Sequence, residues 1–512
     1  MAERFILELK LQTNAKDERE LDKRFFLASR VKNILVSHGN KCLNRLRGDH
    51  HYHDLRQQYH SLHKAIIKAG KAAEDGALSP ESAAQLKKDE AAIATVKDEI
   101  NAILEDVGLT KTAFEKYAKV QQHRYSTHLD AQCVQVIANE VLAGVKSILY
   151  QSGKRLHYNK VMETYSISGK TNKQGIRFRN NRVEWQSLSI GVQLRKGDLY
   201  ARAALAHKVK LCRITRKMVG TRWHYYVQLV LEGVPPVKHR PGIGEVGIDN
   251  GTSVFAVSTD TGLVAFEKLG VDTGDLDTKI VQVQQAIDRS IRVSNPGNYD
   301  PDGTVKKGRK RWVYSRRCKV LRRRLKSLNR KKAARLKQKN EMLANRLLAM
   351  GNRFITEPVK LRALQRRAKE TKLNPKTGRP HSKKRYGKSI ARHSPGAVID
   401  ALNRKAGYFG LCVEKVNLPT YRASQYDHIN DTYKRKTLKE RWARVGSFWV
   451  QRDLYSSFLL RCPNKTLDQI DRAKCVAQFA AFLKAHNAYI KNLMESENHM
   501  PSCCGIHKKK AA

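Results

Sequence analysis

The chain has 512 residues, 41% of them hydrophobic, and its 99 Lys and Arg against 47 Asp and Glu give a formal net charge of +52. This length favours about three or four domains, and the hydrophobic content excludes a wholly disordered basic tail. The positive excess indicates DNA or RNA as partner rather than a membrane, since we find no run of about 18 apolar residues. Nine cysteines without a Cys-x-x-Cys pair argue against both a disulfide framework and a standard zinc ribbon.

The first 240 residues predict one strand, a long helical region and then a group of short strands. Phe5 to Leu11 alternates between apolar and polar residues, as a strand does, and the following apolar spacing predicts mostly helix to about residue 120. From about residue 186 the segments LSIGVQL, LYARAAL, VKLCRIT and WHYYVQLVLEG predict strands separated by Gly-containing turns. The Pro-rich VPPVKHRPG that follows predicts a domain boundary.

The second half predicts alternating strands and helices. EVGIDNGTSVFAVSTDTGLVAFEKL predicts three strands, and residues 304–350 predict a basic helical region. From Lys306 to Arg346 there are 19 Lys and Arg but a single acid, Glu341, so a merely solvated helix face is a poor explanation. RFITE predicts a short strand, AVIDALNRKAGYFG a helix, LCVEKVNL a strand, and FWVQRDLYSSFLL a strand that continues into a helix.

Three acidic residues follow predicted strands. Asp249 ends an apolar strand, Glu357 ends RFITE, and Asp453 opens the helix after FWVQR. Nuclease chemistry with two divalent ions needs several carboxylates that converge from different strands. Each residue also has a plainer interpretation: Asp-Asn-Gly is a type I′ hairpin signal, Glu357 could be a surface residue, and Asp453 a helix N-terminal acid favoured by the dipole.

Taken in order, these segments resemble the TnpB transposon nucleases and the compact type V CRISPR effectors. EVGIDNGTSVFAV is similar to the first RuvC-type motif of that family, NRFITEPVKLRAL to the second, and QRDLYSSFLL to the third. In the third motif Tyr455, Ser456 and Ser457 replace the usual Asn-Ala-Ala. FILELKLQTNAKDERELDKRFFLASRVKNIL resembles the family's first strand and helix, and KAGYFGLCVEKVNLPTYRASQY resembles the strand that leads into its zinc ribbon. The resemblance is loose in residues 50–185 and absent from the last 50.

The resemblance implies a bilobed, multidomain, mixed α/β fold with an RNase H-like (RuvC) nuclease domain and a β-barrel wedge domain that carries a helical recognition insert. The implied boundaries are 1–12 and 161–240 for the wedge, 13–160 for the recognition insert, 242–418 and 451–495 for the nuclease with its basic helices at 304–350, 419–450 for a target-strand loading segment, and 496–512 for a flexible tail.

The resemblance also implies an activity: an RNA-guided, Mg²⁺-dependent DNA endonuclease of the prokaryotic cytosol or nucleoid. The guide RNA would supply specificity, and the protein would read a short flanking motif and the shape of the RNA–DNA heteroduplex formed with double-stranded target DNA. Asp249, Glu357 and Asp453 would be the catalytic residues and hold two Mg²⁺ ions, replaceable by Mn²⁺, and Arg452 would contact the scissile phosphate. A monomer and a homodimer are both open.

Two other functions remain open. The first is an RNase H-like transposase or recombinase that acts without a guide, and the second is a nuclease-inactive, RNA-guided DNA-binding repressor. Glu414, in LCVEKVNL, also resembles the acid of the second motif. The helix before it and TYRASQY after it match the later strand, which favours Glu357.

The sequence departs from the family in the ribbon. Residues 424–452 contain no cysteine, so we expect no structural zinc there, and we expect Trp442, Phe448 and Trp449 to form a small core instead. The basic helical region is expected to contact nucleic-acid phosphates without reading sequence. The residues assigned to this role are Arg316, Arg317, Arg322, Arg323, Arg324, Lys331 and Lys332.

Overall fold

The computed structural model describes residues 4–496 and 504–506, except 75–79, 161–162, 221, 271–273, 360, 368–369, 371–372, 376–377, 379–385 and 438–439. The chain divides into two units, Met1–Pro236 and Val237–Ala512. Each unit contains both helices and sheets, so the predicted mixed α/β class is confirmed.

The first unit is built on a seven-stranded antiparallel sheet. Its strands are β1 (Arg4–Leu11), β2 (Ser166–Ser168), β3 (Arg177–Arg179), β4 (Arg182–Trp185), β5 (Leu188–Gln193), β6 (Val209–Val219) and β7 (Arg222–Glu232), in the order β2-β6-β7-β1-β5-β4-β3. Strand β1 alternates between exposed and buried residues and pairs with both β5 and β7, so the start of the chain completes a sheet of much later strands. The end strands β2 and β3 do not pair with each other, but β3 at one end of the order lies against β6 near the other end, so the sheet curls on itself. The β-barrel stays a prediction.

The helices of the first unit are α1 (Ala15–Arg47), α2 (His50–Glu74), α3 (Pro80–Asp106), α4 (Lys111–His123), α5 (Ala131–Tyr150) and α6 (Leu199–Leu205). Helix α5 is long and apolar enough to cross a membrane by length and composition, a feature that the sequence analysis missed. Its buried side chains pack against α1 and α4. The predicted strand LYARAAL is wrong: it is α6, because Asp198 caps the Ala201 amide and the alanines favour a helix.

The second unit is built on a mixed five-stranded sheet with helices on both faces. Its strands are β8 (Glu245–Asn250), β9 (Val254–Thr259), β10 (Val264–Lys268), β11 (Arg353–Thr356) and β12 (Val413–Lys415), in the order β10-β9-β8-β11-β12. Strands β8, β11 and β12 run parallel, whereas β9 is antiparallel to β8 and to β10. The carboxyl ends of β8, β11 and β12 therefore share one edge of the sheet.

The main helices of this unit are α7 (Gly274–Ser294), α8 (Arg316–Ala349), α9 (Leu361–Leu364), α10 (Gly387–His393), α11 (Pro395–Gly407), α12 (Leu418–Tyr421), α13 (Arg452–Leu460) and α14 (Arg472–Glu495). Helices α8 and α11 supply apolar side chains to one face of the sheet, and α13 and α14 supply them to the other. The basic helix begins at Arg316 and not at 304, because the Ser315 side chain accepts a hydrogen bond from the Cys318 amide and caps it. Helix α7, which packs along α8, was not predicted.

Two short hairpins precede α13. They are β13 (Tyr426–Asp427) with β14 (Thr432–Tyr433), and β15 (Trp442–Val445) with β16 (Phe448–Gln451). The predicted core of this segment is wrong for two of its three members, since Phe448 is 43% and Trp449 64% exposed. The small side chains Ala443, Val445 and Val450 are buried instead, on the hairpin face opposite to that of Trp449. Phe448 shares their face at its open end, where its ring lies 5.7 Å from that of Phe479.

The described part of the predicted tail, Cys504 to Ile506, contacts the second hairpin. Trp442 Nε1 donates a hydrogen bond to the Gly505 carbonyl, and Gln451 Nε2 donates one to the Cys504 carbonyl, both at 3.0 Å. Cys504 is buried in the same core as α13 and α14. These contacts fix this short segment against the second hairpin.

Candidate active site

Asp249 and Glu357 lie side by side at the carboxyl ends of two parallel strands. Ile248 of β8 is in register with Thr356 of β11, so the next residue on each strand is an acid. Because successive side chains alternate between the faces of a sheet, the two acids lie on the same face. Asp-Asn-Gly therefore fits both of its interpretations. Asp249 lies beside another acid at a strand end, and β8 and β9 also form a hairpin there.

Asp453 reaches this edge because α13 packs directly over β8. At Gly247 a Cβ atom would overlap the carbonyl oxygen of Ser457, so only a glycine allows the helix to approach this closely. Asp453 precedes Ser457 by about one helical turn, and Asp249 follows Gly247 by two residues on the same face of the strand. The close crossing therefore brings the first turn of α13 towards Asp249.

The pKa of Asp249 shows that the other two acids act on it. Removal from water raises the pKa of the Asp249 carboxyl well above its ordinary value, and the charges of Asp453 and Glu357 raise it further. Arg452 acts in the opposite direction. Burial also raises the pKa of the Glu357 carboxyl. Perturbed acids that cluster at a strand edge are typical of a functional site.

Two arginines hold Asp453. Its Oδ1 lies 3.3 Å from Arg452 Nε, and its Oδ2 lies 3.7 Å from Arg441 Nη1. The Arg452 guanidinium also donates to the Thr437 carbonyl at 3.0 Å, and the Arg452 amide donates to the Arg441 carbonyl at 3.0 Å. Arg441 was missed by the sequence analysis. Nothing local could indicate it, because its place beside Asp453 depends on how β15 folds back onto β16.

Asn250 is a second residue that the sequence analysis treated only as part of a turn. Its Nδ2 donates to Thr356 Oγ1 at 2.6 Å and to the Glu357 carbonyl at 3.1 Å, which ties the ends of β8 and β11 together. Its Oδ1 is buried without a hydrogen-bond partner. A cavity of about 570 Å³ opens beside Asn250 and Glu357, with Lys415 and Asp400 in its wall.

The alternative acid Glu414 lies elsewhere. It is in register with Ile355, one residue before the level of Thr356, and its carboxylate accepts hydrogen bonds from Arg353 at 2.9 and 3.2 Å. Arg353 also binds Glu245 at 2.8 Å. Glu414 is thus one part of an ion-pair network within the sheet, and it is not among the charges that act on Asp249.

The described residues contain no group of three His, Cys, Asp or Glu side chains placed to hold one metal ion. The donor chemistry still fits Mg²⁺, which prefers carboxylate oxygens, keeps several waters and often takes only one or two carboxylates. A bound cation would relieve the repulsion that Asp453 and Glu357 exert on Asp249. The residues present therefore fit a divalent cation.

Structural comparison finds similarity to Cas12f, a compact type V CRISPR effector. In one structure, a Cas12f1–sgRNA–target DNA complex, the identity is 10%, with 89% of this chain and 99% of that chain covered and a TM-score of 0.38. In a second, a CRISPR–Cas12f ternary complex, the identity is 11%, with 90% and 99% covered and a TM-score of 0.23. No protein-family model and no curated protein matches the chain.

The basic residues predicted to contact phosphates lie along α8. Arg316, Arg317, Arg322, Arg323, Arg324 and Lys331 are exposed. Arg322 places its guanidinium 4.7 Å from the centre of the Tyr314 ring. Lys332 differs from the expectation, because it is partly buried and its Nζ lies 2.5 Å from Asp277 of α7. It is therefore part of the contact between α7 and α8.

The side chains that could have replaced a zinc ribbon have other partners. His428 is buried, and its Nδ1 lies 2.7 Å from the hydroxyl of Tyr455 on α13. Burial lowers the pKa of His428. Cys462 and Cys475 are buried beside each other, between the end of α13 and the start of α14. His428, Cys462 and Cys475 therefore pack α13 against the first hairpin and the start of α14.

Proposed function

We propose that the chain is an RNA-guided DNA endonuclease that hydrolyses phosphodiester bonds at Asp249, Glu357 and Asp453. The observation that supports the chemistry is that Asp249 and Glu357 lie at neighbouring strand ends, under the helix that begins with Asp453. The charges of Glu357 and Asp453 accordingly raise the pKa of Asp249. The strand order β10-β9-β8-β11-β12, with β9 antiparallel, is the order expected of an RNase H-like nuclease. In that fold the catalytic acids belong at the ends of the central strands and on the helix that packs over them.

Asp249, Glu357 and Asp453 would together hold two Mg²⁺ ions, since the charges of Glu357 and Asp453 both act on Asp249. When bound, the ions supply a nucleophilic water at neutral pH and neutralise the charge on the leaving oxygen. Arg452 would contact the scissile phosphate, and its hydrogen bond to the Thr437 carbonyl holds it beside Asp453.

The net positive charge of the chain supports the proposal of a guide RNA. A net charge of +52 needs a large polyanion, and the exposed arginines of α8 offer phosphate contacts without base readout. A double-stranded target that pairs with a bound RNA would then be recognised by its shape and backbone. The proposed partners are accordingly a guide RNA and double-stranded DNA.

The test is to express the chain from its own locus, sequence the RNA that co-purifies, and supply DNA complementary to that RNA. We expect Mg²⁺-dependent cleavage by the wild-type protein, and target binding without cleavage by Asp249→Ala. Cleavage by an RNA-free preparation would favour the transposase or recombinase instead. Guided binding without any cleavage by the wild type would favour the repressor.

A further inference from the structure

Strand β16 exposes a large aromatic side chain just before the candidate active site. Trp449 is 64% exposed, although tryptophan is usually well covered in a folded protein. It precedes Asp453 by four residues, so their Cα atoms are at most about 14 Å apart. The indole is therefore close to the three acids.

The backbone around Trp449 is held firmly. Strands β15 and β16 are paired along their whole length, with Arg444 directly opposite Trp449. Gln451, at the end of β16, caps α13 by accepting a hydrogen bond from the Leu454 amide at 2.8 Å. The hairpin therefore positions Trp449 and Asp453 as parts of one continuous element.

Only one end of the hairpin face that carries Trp449 is covered. Trp442 and Gln451 share this face by their register, and both donate hydrogen bonds to the segment Cys504–Ile506. At the other end Arg444 is exposed beside Trp449. Among the residues that the structure describes, no aromatic ring stacks on the Trp449 indole and no cation lies over it.

The charge of the surrounding segment indicates what could cover this surface. From Thr432 to Gln451 the chain has six Lys and Arg but one acid, Glu440. An apolar protein partner would have to desolvate these cations, whereas a nucleic-acid strand pairs its phosphates with them and its bases with the indole. The occupant that fits is therefore an unpaired stretch of nucleic acid.

We propose that Trp449 stacks on one unpaired base of the strand that is to be cleaved, while Arg444 contacts a neighbouring phosphate. This inference rests on the proposed function and adds a binding site to it. Every base has a π-face, so such a contact tolerates any sequence, as a guided nuclease requires. By fixing one base, the indole would hold the following phosphates at the three acids.

The first experiment measures binding of a single-stranded DNA to the full-length protein with its co-purified RNA, without divalent metal. We expect the DNA to quench a fluorescence component that Trp449→Phe lacks. Trp449→Ala should weaken binding about tenfold, and Trp449→Phe much less, since a smaller ring still stacks. Ile243→Ala is the matched control, because Ile243 is 84% exposed but precedes the opposite end of β8.

The second experiment places an abasic nucleotide at successive positions near the cleavage site. At one position the abasic nucleotide should slow cleavage by the wild-type enzyme as much as Trp449→Ala does. The abasic nucleotide and Trp449→Ala together should slow cleavage no further than either alone. Equal binding and cleavage by Trp449→Ala and Ile243→Ala would overturn the proposal. So would a change in Trp449 fluorescence on deletion of residues 507–512 without DNA, because the tail would then be the occupant.

The outcomes separate the two proposals. Cleavage that is indifferent to Trp449 would contradict the stacking site alone. Quenching of Trp449 by DNA in a protein that never cuts would contradict the nuclease function and leave the stacking site in place.

Discussion

Asp249 illustrates how a strand end can concentrate charge. The charges of Asp453 and Glu357 both act on Asp249, and the arginines nearby pair with Asp453 rather than with Asp249. Charge of one sign in a partly dry site is costly for the folded protein until a cation binds. Such a local cost is common at functional sites and rare where a residue serves folding alone.

A first prediction concerns the stability of the metal-free protein. The pKa of Asp249 is raised in the folded state, so its carboxyl favours folding at pH values below its unfolded pKa, and this contribution is lost as the pH rises through the folded-state value. At neutral pH in EDTA, Asp249→Asn should therefore melt at a higher temperature than the wild type. The difference should shrink towards about pH 4, where the unfolded Asp is itself half protonated.

The control for this prediction is Glu414→Gln. It removes the charge that pairs with Arg353, so it should lower the melting temperature at neutral pH. An Asp249→Asn protein that is less stable than the wild type at neutral pH in EDTA would contradict the repulsion argument.

A second prediction separates the two candidates for the second acid. Glu357→Ala should lower guided cleavage by at least about 100-fold, because even groups that only support a metal ligand cost 10- to 100-fold when removed. Glu414→Ala should cut at nearly the wild-type rate once folded. The measurement is single-turnover cleavage at saturating Mg²⁺, with guided binding measured in parallel. The reverse pattern would show that Glu414 is the metal ligand.

At the scale of elements, the crossing of α13 over β8 decides where Asp453 lies. The crossing depends on Gly247, whose missing side chain leaves room for the backbone of α13 at Ser457. Polar and small residues at this contact are fully covered, as Ser456 and Ser457 are both buried. Two small side chains therefore lie where the helix crosses the strand.

A third prediction follows from this contact. Gly247→Ala should lower the free energy of unfolding by about 1–3 kcal/mol or more, since an inserted methyl group forces backbone shifts in a packed interior. It should also reduce cleavage, because α13 must move away with Asp453. Denaturant unfolding and cleavage are the measurements. Gly407→Ala is the control, because a Cβ atom there meets nothing within 4 Å. Equal effects of the two substitutions would contradict the proposed crossing.

The two halves of helix α8 differ in their surroundings. Near its end Leu343, Leu347 and Leu348 are buried against the sheet, while the arginines of its first half are exposed.

A fourth prediction is that Arg323→Ala and Arg324→Ala each weaken RNA binding and reduce the salt dependence of the binding constant by about one unit of slope. Lys332→Ala should change the slope less, because Lys332 already pairs with Asp277. Titrations at several salt concentrations test this, and a larger slope change for Lys332 would contradict it.

At the scale of the whole molecule, the excess charge is too large to be satisfied within the chain. The 47 acids could pair with fewer than half of the 99 basic residues. Many of the acids are already paired within a unit, as Glu245 is with both Arg353 and Lys474. The surplus is thus available to a polyanion, which would also reduce the self-repulsion of the folded protein.

A fifth prediction concerns the metal content of the whole protein. EDTA should abolish cleavage, and Mg²⁺ or Mn²⁺ alone should restore it, because the acids offer hard oxygen ligands. Elemental analysis should find well under one zinc per chain, since residues 424–452 contain no cysteine. Stoichiometric zinc that is lost with activity, and that alone restores it, would contradict this prediction.

The sequence by itself determined most of the strands and helices, the mixed α/β class and the excess of positive charge. Apolar spacing and charge are local properties, so they can be read without knowing which residues meet. It also indicated the three acids, because each lies at or just after the end of a strand. The departures have local causes too: LYARAAL became a helix through its cap and its alanines, and Trp449 became exposed because the smaller Val450 takes the inward face.

Only the tertiary structure decided which of these residues act together. The sequence already favoured Glu357 over Glu414, but the place of Glu357 beside Asp249 follows from a register between strands that are more than a hundred residues apart in the chain. The place of Asp453 follows from a helix crossing at Gly247, and that of Arg441 from a hairpin folding back. These contacts join distant segments, and their geometry depends on packing across the whole sheet. No pattern within a single segment carries that information.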